Sequence, residues 1–460
     1  MFKRSLFCCC LLCTVFTIAA QQPVRPIFSK LTKKDGLASE IIFNTVQDKQ
    51  GYIWIATQNG LQRYDGNRFL TFRHVPGDTN SLPVNGVNRL FIDRNERLWL
   101  MFDKKIGIFN TKNNRFRETG IAVPFMIFKK LMQDDQGKII LLIDYNKRLV
   151  YDEASNKFIA SYQLPAFPDS LAAGDMIKDP LQNRIWFTGK EGMFLLDRKT
   201  GQYSYPGHNT ANDPVIEQLG NIKNARLPFV SKDGNFWMVS WIPFGNIPTV
   251  YCYDRATGNT LRFDTINGRT QKNYYEVWGF FQQKNGTLWI YGMNLLCYYS
   301  RELNKFIKIP SEQYVEYGIE YDYVSQLCED REHNVWICSS KGFYRFNPDA
   351  ELFTSIRNHR LNDTAFSTLP VSAIVATKNN GTWISTWGNG IFSYNENWQP
   401  ITNPVHALKG GEKLTHVSFM MQRRNGEIWI GSRTGEIFIY DPSVNTLTLL
   451  KTPLEQDDAV

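Results

Sequence analysis

Apolar runs of four to six residues, each ended by a cluster of Asp, Asn or Gly, recur along the chain from residue 28 to residue 450. Val87 to Ile92 is one such run; the turn Asp93-Arg94-Asn95 follows, and Leu98 to Phe102 comes next. Runs of this length bounded by turn residues predict short β-strands joined by tight hairpins. Asp, Asn and Gly recur because they tolerate the left-handed dihedrals that such hairpins demand. Nowhere does the spacing of apolar positions predict an amphipathic helix.

The pattern repeats. A turn followed by Trp occurs at Asp48 to Trp54, Asp93 to Trp99, Asp179 to Trp186, Asp233 to Trp237, Asn285 to Trp289, Asp330 to Trp336, Asn379 to Trp383 and Asn425 to Trp429. Successive Trp residues lie 45, 87, 51, 52, 47, 47 and 46 positions apart, and Asp135 to Ile140 fills the double interval with a unit that has lost its Trp. In most of the nine units a third run closes on an aromatic plus Asp or Asn, as at Tyr64-Asp65, Phe109-Asn110 and Tyr440-Asp441. A fourth run, such as Phe69 to Phe72, then follows. Four strands per 45 to 50 residues predict an all-β propeller of four-stranded antiparallel blades. The recurring Trp is then core, filling the wedge between neighbouring blades. Pro26 to Leu31 reads as a fourth strand with no blade of its own, the device that closes a ring.

Seven blades end near Ile356. The expected organisation is therefore a seven-bladed propeller over 21–357, with two further blades and a short tail over 358–460. Within the connector Asn358 to Pro370, Asn362 to Pro370 echoes Asp78 to Pro83, an ordinary blade-to-blade loop, so a nine-bladed ring or arc remains open as well.

Composition changes this picture little. Hydrophobic residues make up 43% and charged residues 21%, enough for a sizeable core. Aromatics reach 14%, which suits pleated, half-buried strands. Residues 1–20 differ from the rest: Lys3 and Arg4 precede the apolar stretch Leu6 to Ile18, and Ala19-Ala20 follows, the layout of a secretory signal peptide. Export to the periplasm and a soluble mature chain are the expectation. Four cysteines fall in that segment; Cys252, Cys297, Cys328 and Cys338 remain, without CxxC spacing, and read as buried free thiols with one bridge left open. The formal charge of +8 helps with an anionic partner but comes without a basic cluster or nucleic-acid motif.

The opening of the chain resembles the two-component regulator propeller repeat. The residues that carry it are Phe28 to Leu31, Asp35-Gly36-Leu37, Gln47 to Thr57, Asn59 to Gly66, His74, and Asp78 to Leu82. Their order resembles the start of the periplasmic sensor part of Bacteroidetes hybrid two-component systems. The resemblance implies two seven-bladed propellers followed by a β-sandwich, a membrane helix, a kinase, a receiver and a DNA-binding domain. It also implies periplasmic sensing, often of oligosaccharides. This sequence departs from that plan, with nine repeats and no kinase or DNA-binding part, and so reads as a truncated or split sensor or a stand-alone propeller.

Strand alternation places the tight first-to-second and third-to-fourth turns on one face and the variable loops on the other. Recognition is expected on the variable face, at Trp241, Phe244, Trp387, Asn389 and Arg433, where rings stack on a sugar and amide or guanidinium groups bond hydroxyls. For each aromatic the plainer reading is that it packs its own loop. The six His show no metal-ligand pattern, and the Asp residues sit in turns. No catalytic residue, metal or cofactor is expected, although a secreted propeller glycosidase or lyase stays as the alternative. Expected partners are an oligosaccharide or other small ligand, a separate membrane sensor kinase or a second propeller, and not nucleic acid.

Overall fold

The computed structural model describes residues 26–121, 128–143, 147–160, 173–242, 247–264, 266, 274–313, 317–348, 370–377, 381–395 and 400–450. The expected signal peptide at 1–20 and most of the connector at 358–370 lie outside these residues. Among the described residues nine antiparallel sheets form, each of four strands except one that gains a short fifth, Gly120–Ile121, parallel to Lys157–Ile159. The chain is thus an all-β protein of propeller blades. It divides into two compact units, 1–352 and 353–460.

The first unit holds seven sheets. Their innermost strands are Ile42–Gln47, Arg89–Ile92, Phe128–Gln133, Asp175–Lys178, Ala225–Val230, Gly279–Gln282 and Val324–Glu329. The seventh sheet has only three strands in sequence; its fourth is the N-terminal strand Ser29–Leu31, antiparallel to Gly342–Phe346 with Ser29 opposite Arg345. The first sheet then lies against the seventh. Thr45 N donates to Gln326 Oε1 at 2.6 Å, and Arg331 reaches the carbonyls of Lys49 and Asp48 at 2.9 and 2.7 Å. The ring closes on itself.

The core lies between sheets. Trp54 of the first sheet packs among Leu90, Leu98 and Phe109 of the second, and Trp336 of the seventh packs on Ile53, Ile55 and Tyr64 of the first. Trp54, Trp99 and Trp186 are fully buried, and Trp237, Trp289 and Trp336 nearly so. Burial obliges each indole N–H to find an acceptor. In five sheets a side chain at the first turn supplies it: Trp54 Nε1 to Asp48 at 2.7 Å, Trp99 to Asp93 at 2.9 Å, Trp186 to Asp179 at 2.9 Å, Trp289 to Gln283 Oε1 at 2.7 Å and Trp336 to Asp330 at 2.7 Å. The other carboxylate oxygen of Asp48, Asp93 and Asp330 accepts a turn amide, so one residue both ends the hairpin and anchors the wedge. The unit without a Trp places Ile140 there, 1% exposed.

One helix departs from the sequence expectation. Pro214–Leu219 is α-helical, capped by the Asp213 carboxylate on Val215 N, with Pro214 at the first position and Val215, Ile216 and Leu219 buried. Its three apolar residues cover the flank of the fourth and fifth sheets beside Trp186 and Phe236. Six residues are too few to show a period, but Asp-Pro before an apolar run is a helix-start signal. Cys252, Cys297, Cys328 and Cys338 are all free thiols, and burial pushes Cys297 and Cys328 up to about 12.

The second unit holds two sheets, from Val371–Thr377 to Pro400–Ile401 and from Val417–Gln422 to Thr446–Leu449. Trp383 is buried between them with Ile391, Val417, Ile430 and Phe438. Trp429, on the far side of the second of these sheets, is only half-buried and lies under Arg423 at 4.9 Å. No further sheet of this unit's described residues covers that side.

Candidate functional site

The five residues expected to recognise a ligand fall in three places. Phe244 lies outside the described residues. Trp241 is in the first unit and is buried, 8% exposed, among Val239, Val250, Tyr275 and Val277. Its ring lies under the Arg226 guanidinium at 5.8 Å and its amide donates to Asn224 O at 3.1 Å. An exposed stacking platform does not exist at Trp241; the residue closes the end of a sheet-to-sheet core. Two connector aromatics also pack inward: Tyr275 donates to Pro248 O at 3.1 Å and Tyr321 to Ile309 O at 2.5 Å, and both are buried.

Trp387, Asn389 and Arg433 do come together, on the variable-loop side of the second unit. Trp387 follows the second strand of one sheet and Arg433 the second strand of the next. Trp387 is 38% exposed, the Arg433 guanidinium stands over its ring at 5.5 Å, and the His416 ring meets it edge-on at 6.1 Å. The backbone fixes this arrangement. Gly388 and Gly390 N both donate to Thr415 O, at 3.1 and 3.0 Å, while Arg433 N donates to His416 O at 2.9 Å. Gly388 and Gly390 have φ of +119° and +79°, which lets the loop turn back sharply around Asn389. An exposed indole, a guanidinium, an imidazole and an amide within one loop cluster can stack on an apolar ring face and bond hydroxyls around it.

His416 was not singled out by sequence. Only its pairing with Trp387 across the connector brings it to the site. Sequence reasoning also missed two clefts on the tight-turn side of the first unit. One, of about 400 Å³, lies between the fifth and sixth sheets, with Asp233, Asn235, Asn285 and Arg301 in its walls. The other, of about 870 Å³, lies between the first and second sheets beside Gln50, Asn80, Arg97 and Asn113. Their charged walls are largely paired within the protein: Arg301 with Asp233, and Arg97 with Asp93 at 2.6 Å and with Glu153. Among the described residues no group of His, Cys, Asp and Glu has the arrangement to hold a metal ion, and no helix is long and apolar enough to cross a membrane.

Comparison with known proteins agrees with the repeat reading. Residues 36–59 match the two component regulator propeller family. A histidine kinase P4 of Formosa agariphila is 36% identical over 56 residues, which is 12% of this chain and 4% of that protein. Among solved structures, the extracellular domain of a hybrid two component system from B. thetaiotaomicron superposes with a TM-score of 0.64 at 18% identity, over 93% of this chain and 55% of that one. A second such domain from the same organism gives 0.50 at 15% identity, over 92% and 53%. The chain thus spans about half the length of the extracellular domains it resembles in fold.

Proposed function

We propose that this chain, built on two component regulator propeller repeats, is an exported ligand-sensing module that binds oligosaccharide and does not turn it over. The observation that carries the reading is the cluster of Trp387, Arg433, His416 and Asn389, an exposed aromatic ring flanked by hydrogen-bonding groups on a rigid pair of sheets. Variable loops on a rigid scaffold are where recognition concentrates. Two further observations support the sensing role: the structures similar in fold are extracellular sensor domains, and residues 1–20 have the pattern of an export signal. The downstream partner in this reading is a sensor kinase.

The test is calorimetric titration of a panel of plant and algal oligosaccharides into the full chain, with a reducing-end assay run on the same mixtures. Saturable heat without new reducing ends is the expected result. Heat from none of the panel would remove the oligosaccharide reading, and steady release of reducing ends would replace it with a secreted propeller enzyme.

A further inference from the structure

In the first unit the innermost strands of the seven sheets surround the ring axis. One level of this axis can be followed by register. Asn44 pairs with Ala56, Arg89 with Met101, Lys130 with Leu142, Asp175 with Thr188, Gly279 with Tyr291 and Gln326 with Cys338, while Leu227 stands in the bulge of the fifth sheet. Each of these seven residues lies two positions before the one that faces the repeat Trp or its replacement.

Three members of the layer join one sheet to the next. Gln326 accepts from Thr45 N at 2.6 Å, Asn44 from Leu90 N at 2.9 Å and Asp175 from Leu227 N at 3.2 Å. Arg89 and Lys130 occupy equivalent places, but a cation cannot accept a hydrogen bond. They are neighbours on adjacent inner strands, both exposed, and among the described residues neither side chain makes a hydrogen bond or an ion pair within 4 Å. Surrounding protein holds the Lys130 pKa below its ordinary value; Arg89 adds to this and Asp175 opposes it. The sixth sheet contributes differently. A Cβ on Gly279 would come within 2.3 Å of the Tyr291 hydroxyl, so the phenol occupies the space above that glycine. Burial raises Tyr291 to about 12, and the Arg89 charge on the second sheet opposes that rise.

We propose that this axial layer is an oxyanion site, in which Arg89 and Lys130 hold the carboxylate or sulfate of a small sugar and the Tyr291 hydroxyl donates a further hydrogen bond. Two cations beside the single carboxylate of Asp175 leave one positive charge for a monoanion. Charge-assisted hydrogen bonds to an oxyanion are the strong ones, and they gain further where protein excludes much of the water. The site lies in the first unit and stands independently of the Trp387 cluster.

The test uses the full chain with four probes at constant ionic strength: galacturonate, galactose 6-sulfate, inorganic sulfate and neutral galactose. Binding is read by calorimetry and by the rise of the thermal midpoint. At least one of the two acidic sugars is expected to bind saturably and galactose not at all; which acidic sugar binds tighter separates carboxylate from sulfate. Arg89→Gln and Lys130→Gln should each weaken that binding ~10-fold or more, and Tyr291→Phe by a smaller factor. Unliganded Lys130→Gln should unfold at or above the wild-type midpoint, because it removes an ammonium that the surrounding protein desolvates, an effect larger than its attraction to Asp175, and also removes repulsion from Arg89. Trp387→Ala should leave anion binding unchanged. Equal binding of galacturonate, galactose 6-sulfate and galactose, or equal affinity in wild type and the Arg89→Gln/Lys130→Gln double variant, would overturn the assignment. So would response to inorganic sulfate alone, or a loss confined to Trp387→Ala.

Discussion

Ser231 stands six residues before Trp237, at the place where other sheets set a carboxylate or amide for the indole, and among the described residues the buried Trp237 Nε1 finds no hydrogen-bond partner. The Ser231 hydroxyl is too short for that role and turns instead to Asp233 and to Asn235 O. Thr377 and Trp383 repeat the relationship in the second unit. An unmade buried hydrogen bond costs free energy, so the fifth sheet carries a defect that the other sheets define how to repair. Ser231→Asn supplies a neutral acceptor of the same length as Asp without adding charge beside Asp233. It should stabilise the chain by ~1 kcal/mol, read from the urea midpoint. An unchanged or lower midpoint would mean that the Trp237 indole gains nothing from an acceptor at this position.

Asp48→Ala makes the reverse change. It removes the acceptor of both Trp54 Nε1 and Tyr52 N. A loss of ~1–3 kcal/mol in unfolding free energy is expected, with Asp48→Asn retaining much of it. Equal stability of wild type and Asp48→Ala would show that this turn does not anchor its Trp.

The two tryptophans once grouped by loop position should separate. Trp387→Ala should weaken oligosaccharide binding by roughly 1–3 kcal/mol, taking base stacking as the nearest measured analogue, and leave the thermal midpoint nearly unchanged because the ring is partly exposed. Trp241→Ala removes a buried ring and should cost ~3–5 kcal/mol of stability without touching the Trp387 site. Paired calorimetry and thermal unfolding decide; a Trp241→Ala protein of wild-type stability would contradict its place in the core.

Asp135 bridges the third and fourth sheets by pairing with Lys178 and Arg198. These partners hold its carboxyl below the ordinary aspartate value of 3.8. A depressed carboxylate stabilises the fold at pH values above its unfolded pKa, and that stability is lost as pH falls through the lower folded value. The midpoint difference between wild type and Asp135→Asn should therefore be constant above 3.8 and vanish in more acid solution. Added salt should shrink it, since the group is largely solvated. A difference that persists at low pH would exclude the ion pairs as its source.

Much of the fold was legible because its determinants are local. A turn Asp six or seven residues before a Trp is visible in one line of sequence, and that pair sets both a hairpin and a packing wedge. The closing strand was legible too, since Ser29–Leu31 is a strand pattern with no hairpin partner nearby. The site was legible only where neighbouring loops carried it, at Trp387, Asn389 and Arg433. Trp241 has the same loop context, but its burial depends on Arg226, Tyr275 and Val277, whose approach no local pattern records. Arg89 and Lys130 lay hidden for a related reason: each sits on its own strand, and only the register across sheets sets them at one level.

The pairing of Ser29–Leu31 with Phe343–Arg345 has a consequence for the order in which the molecule is made. The segment synthesised early waits about three hundred residues for its partner, so the clasp is the last sheet pairing of the first unit to become available to a growing chain. Until Trp336, Cys338 and Phe343 arrive, Ile53, Ile55 and Tyr64 of the first sheet have nothing to lie against. Such a chain carries a sticky open edge at its leading end throughout biogenesis, with loop closure over that whole length still to be met. Keeping that edge from pairing with other chains until the seventh sheet is made is a demand this ring closure places on folding.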